Sequence, residues 1–220
     1  MSSTDRPSAT PPARDRATDR PAVDRSAAPG PDRAPARSWR TVDAVVAAVI
    51  GVAFGVVFAG WNALWNAVQP AFTAFPPAQG VMYGIWMVPG VLAMLVVRKP
   101  GAAVFAEVVA SLVSMLFGGW GITILIWGFF EGLLPELVFA TFRYRRFGTA
   151  VAALAGASAG LIAGILDTVY YYPTWASGWK VLYAVLVVVS SAVIACLGSV
   201  ALVKALRRTG VLTPFASGRG

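Results

Sequence analysis

The 220-residue chain contains no histidine and a single cysteine, Cys196. Without histidine, most zinc and haem chemistry is excluded, and so is the commonest general base. One cysteine inside an apolar run supports neither a disulfide framework nor a thiol metal site. No HExxH or paired-aspartate pattern occurs, and a membrane-embedded enzyme is accordingly not expected. Charge is scarce as well: 13% of residues are charged against 57% apolar. That balance, with a mean hydropathy of +0.68, takes the chain out of the soluble class. The net charge of +8 invites a nucleic-acid partner, but the basic residues gather between apolar runs, the pattern of cytoplasmic loops. No nucleic-acid partner is expected.

What is abundant is apolar sequence long enough to cross a hydrocarbon core of roughly 30 Å. Six spans are expected: Val42 to Val68, Gly80 to Val97, Ala102 to Phe117, Ile122 to Phe142, Thr149 to Tyr170 and Trp179 to Leu206. The third is short and needs its flanks to complete it. Arg37 and Arg40 precede the first span, and Arg98 and Lys99 follow the second. Arg143, Arg145 and Arg146 follow the fourth, and Lys204, Arg207 and Arg208 close the sixth. The other loops hold no charge. An all-α, six-helix bundle in the cell membrane with both termini cytoplasmic satisfies the positive-inside rule at every loop. Five or seven spans break it.

Three parts are expected: a tail over 1–38, a membrane domain over 39–208 and a cytoplasmic tail over 209–220. Residues 1–38, rich in Pro, Ala, Arg and Asp, cannot bury enough apolar area to offset their ordering entropy and are read as disordered. No signal peptide is expected, since apolar sequence begins only after Thr41. No repeat or matched pair of broken helices suggests an inverted-repeat transporter.

The chemistry is expected to centre on Gly101 to Phe142, two spans joined by a tight turn at Gly118-Gly119-Trp120-Gly121. This stretch carries Glu107, Glu131 and Glu136 inside apolar surroundings, where a carboxylate usually marks a site. At ~1.5 Å rise per residue, Glu131 lies roughly 18 Å from Arg143, near mid-bilayer. Glu136 and Glu107 lie deeper toward the basic loops and are read as capped or protonated structural groups. Asp167, near the outer end of the fifth span, is a second candidate anion, or the partner of Lys180.

Trp61, Trp65, Trp86, Trp120, Trp127, Trp175 and Trp179 all fall in the outer half, with Tyr83, Tyr170, Tyr171, Tyr172 and Tyr183. Aromatic belts normally mark both interfaces. So one-sided a distribution suits a vestibule for a flat heterocycle or a cation, at roughly 0.5–2 kcal/mol per cation–π contact. Asn62 and Asn66 share a face near the same mouth, and the proline-rich loop Gln69 to Gln79 has the length of a lid. In the first span Ala47, Gly51, Gly55 and Ala59 recur every four residues. Such a ridge lets another helix approach closely, either within the bundle or from a partner membrane protein.

Tyr83-Gly84-Ile85-Trp86, RKPGAAVFAE from Arg98 to Glu107, EGLLPELVF from Glu131 to Phe139, Leu166-Asp167 before an aromatic loop, and TGVL from Thr209 to Leu212 resemble the YkoE-type substrate-binding (S) components of energy-coupling-factor (ECF) vitamin transporters. The resemblance covers most of the chain after Arg40. It implies a six-helix subunit that captures thiamine or its hydroxymethylpyrimidine precursor from outside. Its partners would be a transmembrane coupling protein and a pair of ABC ATPases, which hydrolyse the ATP; the subunit itself carries no cofactor. The family more often has glutamine at the position of Glu131 and glutamate at that of Ser114, so the acid here has moved from helix three to helix four.

On this reading Glu131 and Asp167 supply negative charge or accept hydrogen bonds. Tyr83, Trp86, Trp127, Tyr170, Tyr171 and Trp179 stack on rings. Asn62, Asn66 and Gln79 give amide contacts, while Ala47, Gly51, Gly55 and Ala59 dock the coupling protein. The competing expectations are an S component for another small heterocycle and a stand-alone, ion-coupled transporter of aromatic cations.

Overall fold

The structure is a computed structural model that describes residues 38–117, 121–213 and 215–218. Nearly all of the expected disordered tail, and residues 118–120 of the expected tight turn, lie outside the described residues. Six α-helices and no strand occur among the described residues: α1 (Thr41–Val68), α2 (Val88–Val97), α3 (Ala102–Leu116), α4 (Thr123–Thr141), α5 (Thr149–Tyr170) and α6 (Ser177–Arg208). Five stretches are long and apolar enough to cross a membrane, and α3 is apolar but shorter, at 15 residues.

All ten residues of α2 are buried. Apolar all round, VPGVLAMLVV has no polar face to give to solvent, and such a helix belongs inside the bundle. The others surround it, and α1, α5 and α6 turn valine and leucine outward, among them Val49, Val56, Leu161 and Val189.

The span that ends in α2 begins as a 3-10 helix over Pro76–Met87. The loop from Gln69 is therefore shorter than the sequence indicates: a 3-10 turn covers Gln69–Phe72, and 3-10 winding resumes at Pro76. Gln69 Nε2 donates to Gln79 Oε1 at 3.0 Å and ties the two ends together. The 3-10 segment lies against α6. A Cβ added at Gly84 would sit 2.5 Å from the Ser190 carbonyl. The Gly84 N–H donates to Ser190 Oγ at 3.1 Å, and that hydroxyl donates to the Val81 carbonyl at 2.6 Å.

The α1 ridge is interior. Ala47, Gly51 and Gly55 are buried against α3, and Ala59 is half-buried. A Cβ added at Gly51 would lie 2.7 Å from Val109 Cβ, and one at Gly55 2.5 Å from Val113 Cβ. The expected docking role of Ala47, Gly51 and Gly55 is therefore corrected. Small side chains bring α1 onto α3, where van der Waals contact is the main source of helix association in lipid, and no partner can reach that face.

Two carboxylates cap helix starts inside the bundle. The N-terminus of α3 lies under α4, and its orphan N–H groups need acceptors. Glu136 supplies both, accepting from Gly101 N–H at 2.7 Å and Ala103 N–H at 3.1 Å, and it also accepts from Tyr144 Oη at 2.9 Å. Glu107 Oε1 accepts from Gly90 N–H at 2.8 Å, near the start of α2. Beyond α6 the expected tail folds back: Leu212 and Phe215 are buried and Ser217 Oγ donates to the Val96 carbonyl at 2.8 Å.

Candidate functional site: an aromatic, acidic chamber

At the end of the bundle away from the basic loops, the C-terminal part of α1, the 3-10 segment, the N-terminal half of α4 and the loop after α5 surround a hollow. It encloses about 500 Å³ of space, counting its open mouth. Trp65, Tyr83, Trp86, Ile124, Trp127, Glu131, Asp167, Tyr171 and Tyr172 line it.

Local winding places the rings. In a 3-10 helix side chains three residues apart eclipse, so Tyr83 and Trp86 stand on one face with ring centroids 5.0 Å apart. Trp65 of α1 closes on the same pair, 5.2 Å from Trp86 and 6.3 Å from Tyr83. Across the hollow, Trp127 packs against Tyr170 and Tyr171, each at 5.3 Å. Tyr172 stacks on Trp175 at 4.0 Å. Burial, reinforced by the Asp167 carboxylate, pushes the Tyr172 phenol up, and burial does the same to Tyr171. Both remain neutral hydroxyls at physiological pH.

The two acids differ. Asp167 Oδ1 accepts from Trp127 Nε1 at 2.7 Å and Oδ2 from Tyr183 Oη at 2.6 Å. Both oxygens are engaged, and the carboxylate braces α4 and α6 against α5. Lys180 is not its partner; that ammonium donates to the Pro173 carbonyl at 2.7 Å. Glu131 faces the hollow with 6% exposure. Four residues on, Pro135 interrupts α4. A proline has no N–H, so the Glu131 carbonyl loses the helical hydrogen bond it would otherwise accept.

The other candidates divide. Asn62 is one layer back: its Oδ1 accepts from Trp86 Nε1 at 3.2 Å and its Nδ2 donates to Ser114 Oγ at 3.3 Å. Gln79 reaches the site through its hydrogen bond to Tyr172. Tyr170 supports Trp127 from outside and is 58% exposed. Two expectations are corrected. Asn66 is exposed and does not line the hollow. Trp179 is 42% exposed, with its ring edge-on to Trp175 at 6.1 Å rather than in the chamber. A helical turn at the start of α6 points it outward. Trp65 and Tyr172 were legible only as members of the outer aromatic set, and Ile124 carried no signal.

A spanning bundle around a chamber of rings and acids defines a multi-pass membrane protein of the small-molecule permease class. The family model described as "ABC-type cobalt transport system, permease component" matches residues 42–162. A Bacillus subtilis (strain 168) protein named as HMP/thiamine permease protein YkoE is 34% identical over 146 residues, 66% of this chain and 73% of its own length. A crystal structure of an S-component of an ECF transporter superposes with a TM-score of 0.78 at 32% identity, covering 83% of this chain and 92% of that one. The chain belongs to this family of permease components and, within it, to the YkoE-type S components of ECF transporters.

Proposed function

We propose that the chain captures thiamine, or its hydroxymethylpyrimidine precursor, from outside the cell as the S component of an ATP-driven ECF importer. The observation that carries this reading is Glu131, whose carboxylate faces a ring-lined hollow and has no hydrogen bond from any described residue. A thiazolium cation or an aminopyrimidine supplies the charge or N–H donors that such a group needs, and the aromatic faces suit either flat ring. The relative's name points to the same ligands. The family description names cobalt, but a histidine-free chain offers none of the imidazole ligands that favour such ions. Among the described residues no three acidic, cysteine or histidine side chains cluster.

The basic loops put both termini in the cytoplasm and the chamber mouth outside. Transport then requires a transmembrane coupling protein and a pair of ABC ATPases that hydrolyse ATP, with no cofactor in this subunit. The buried α1 ridge leaves the coupling surface to lipid-facing residues.

Titration of the purified protein with thiamine, hydroxymethylpyrimidine and cobalt(II), read by tryptophan fluorescence, tests the proposal. Saturable binding of an organic ligand that weakens about tenfold or more in Glu131→Gln is expected, since a charged hydrogen bond is worth about 1.5–3 kcal/mol. Binding of cobalt alone, or organic binding indifferent to Glu131→Gln, would overturn it. In cells, uptake that survives loss of the ATPase partners would point instead to a stand-alone transporter.

A further inference from the structure

Glu107 does not line the chamber, yet its side chain sits where the two walls of the chamber meet the core. It is fully buried. A Cβ added at Gly90 of α2 would lie 2.9 Å from its Cγ, and one at Gly132 of α4 would lie 3.1 Å from its Cβ. Gly132 adjoins Glu131, and Gly90 stands three residues beyond the end of the 3-10 segment.

That segment runs for twelve residues, whereas 3-10 runs beyond three or four are uncommon. Something must hold the winding. In an α-helix, residues three apart are about 60° out of line; in a 3-10 helix they eclipse. The mutual placement of Tyr83 and Trp86 thus depends on where the changeover to α-winding falls. Two features mark it. Pro89 has no N–H to return to the carbonyl four residues back, and the Gly90 N–H donates to Glu107 Oε1 at 2.8 Å. Glu107 Oε2 has no partner among the described residues, so this contact to Gly90 is the hydrogen bond its carboxylate makes.

We propose that Glu107 is a positioning residue for the chamber. By holding the Gly90 N–H it fixes the changeover at Val88 and keeps α-winding from spreading back into Pro76–Met87. Tyr83 and Trp86 stay eclipsed on the wall facing Glu131. Glu107 touches no ligand; it acts through the backbone of a neighbouring helix. The inference places the effect on the ligand site proposed above, but its first readout needs no ligand.

Hydrogen–deuterium exchange of the detergent-purified full chain, with near-ultraviolet circular dichroism of its rings, tests it. Glu107→Leu removes the acceptor, and Glu107→Gln keeps an oxygen for Gly90. In Glu107→Leu, exchange over residues 78–90 should rise about tenfold, as loss of a buried acceptor implies, the aromatic dichroism should change, and thiamine affinity should fall about tenfold. Glu107→Gln should stay within about threefold of the parent in all three, a difference well below the cost of losing the bond. Unchanged exchange and dichroism in Glu107→Leu would overturn the proposal. So would equal damage in Glu107→Gln, or altered exchange with thiamine binding intact.

If Glu107→Leu does not fold, Pro89→Ala is the second variant. It restores an N–H at the changeover while leaving Glu107 in place. Parental exchange over residues 78–90 supports the proposal, since Glu107 then holds the changeover without the proline, and faster exchange overturns it by assigning the changeover to Pro89. A parent that binds no thiamine would sink the ligand assignment above while leaving the exchange and dichroism results standing.

Discussion

Two pairs of carboxylates sit in the same apolar bundle and do different things. Glu107 and Glu136 lie toward the basic loops and bond backbone N–H groups at the starts of α2 and α3. Glu131 and Asp167 line the chamber, among rings. Burial is similar, and all four are under 10% exposed. The difference is local: the inner pair meets helix N-termini, whose unpaired N–H groups favour a carboxylate. The outer pair meets side chains, and of the two only Asp167 finds donors. An acid inside a membrane protein therefore signals function only after its helix-capping work has been subtracted.

The largest expected effect lies in the packed half. Gly55→Leu drives a side chain into Val113 and the Ala110 carbonyl, beyond the ~1–3 kcal/mol typical of overpacking because backbone is struck. Little monodisperse protein should be recovered, with or without coupling partners. Recovery of stable chain that fails only to bind partners would restore the docking role to the ridge.

Next comes Glu136→Leu. Three donors lose their acceptor, at about 1–3 kcal/mol for each one left buried. Thermal unfolding should move down by several degrees while the folded fraction binds ligand with parental affinity. A selective loss of affinity would erase the distinction between the pairs.

Asp167→Asn tests the other pair. An amide turned with its oxygen to Trp127 meets Tyr183 with its nitrogen, so the hydroxyl must reverse and accept and both charge-assisted bonds are lost. Stability and ligand affinity should fall together, each by about 1–2 kcal/mol. Glu131→Gln, by contrast, should lower affinity alone. If the two variants behave alike, the bracing role of Asp167 is wrong. The smallest effect is expected for Asn66→Ala. Its side chain is exposed and does not line the hollow, so affinity should stay within about 0.5 kcal/mol of the parent.

Much of the architecture could be read from the chain. The fifth span, Thr149 to Tyr170, has the expected bounds, and the others shift by one to four residues, because an apolar run of membrane-crossing length has few ways to satisfy its backbone except as a helix. Tyr83, Trp86, Trp127, Glu131, Asp167 and Tyr171 were anticipated as site residues and do line one hollow. The ridge misled because four-residue spacing of small side chains is the same whether the approaching helix is internal or foreign; here it is α3.

Composition and loop charge by themselves determined a six-helix membrane bundle with its rings gathered at one end, since water and hydrocarbon sort residues by type. They also determined that the intramembrane acids needed explaining. Only the tertiary structure decided which acids cap helices and which face the hollow, because capping depends on whose N-terminus lies across the interface. The same holds for the 3-10 winding that aligns Tyr83 with Trp86: α6, more than a hundred residues on, packs on it through Gly84, and Glu107 meets its end from the next helix. Contacts between helices far apart along the chain leave no local pattern to read.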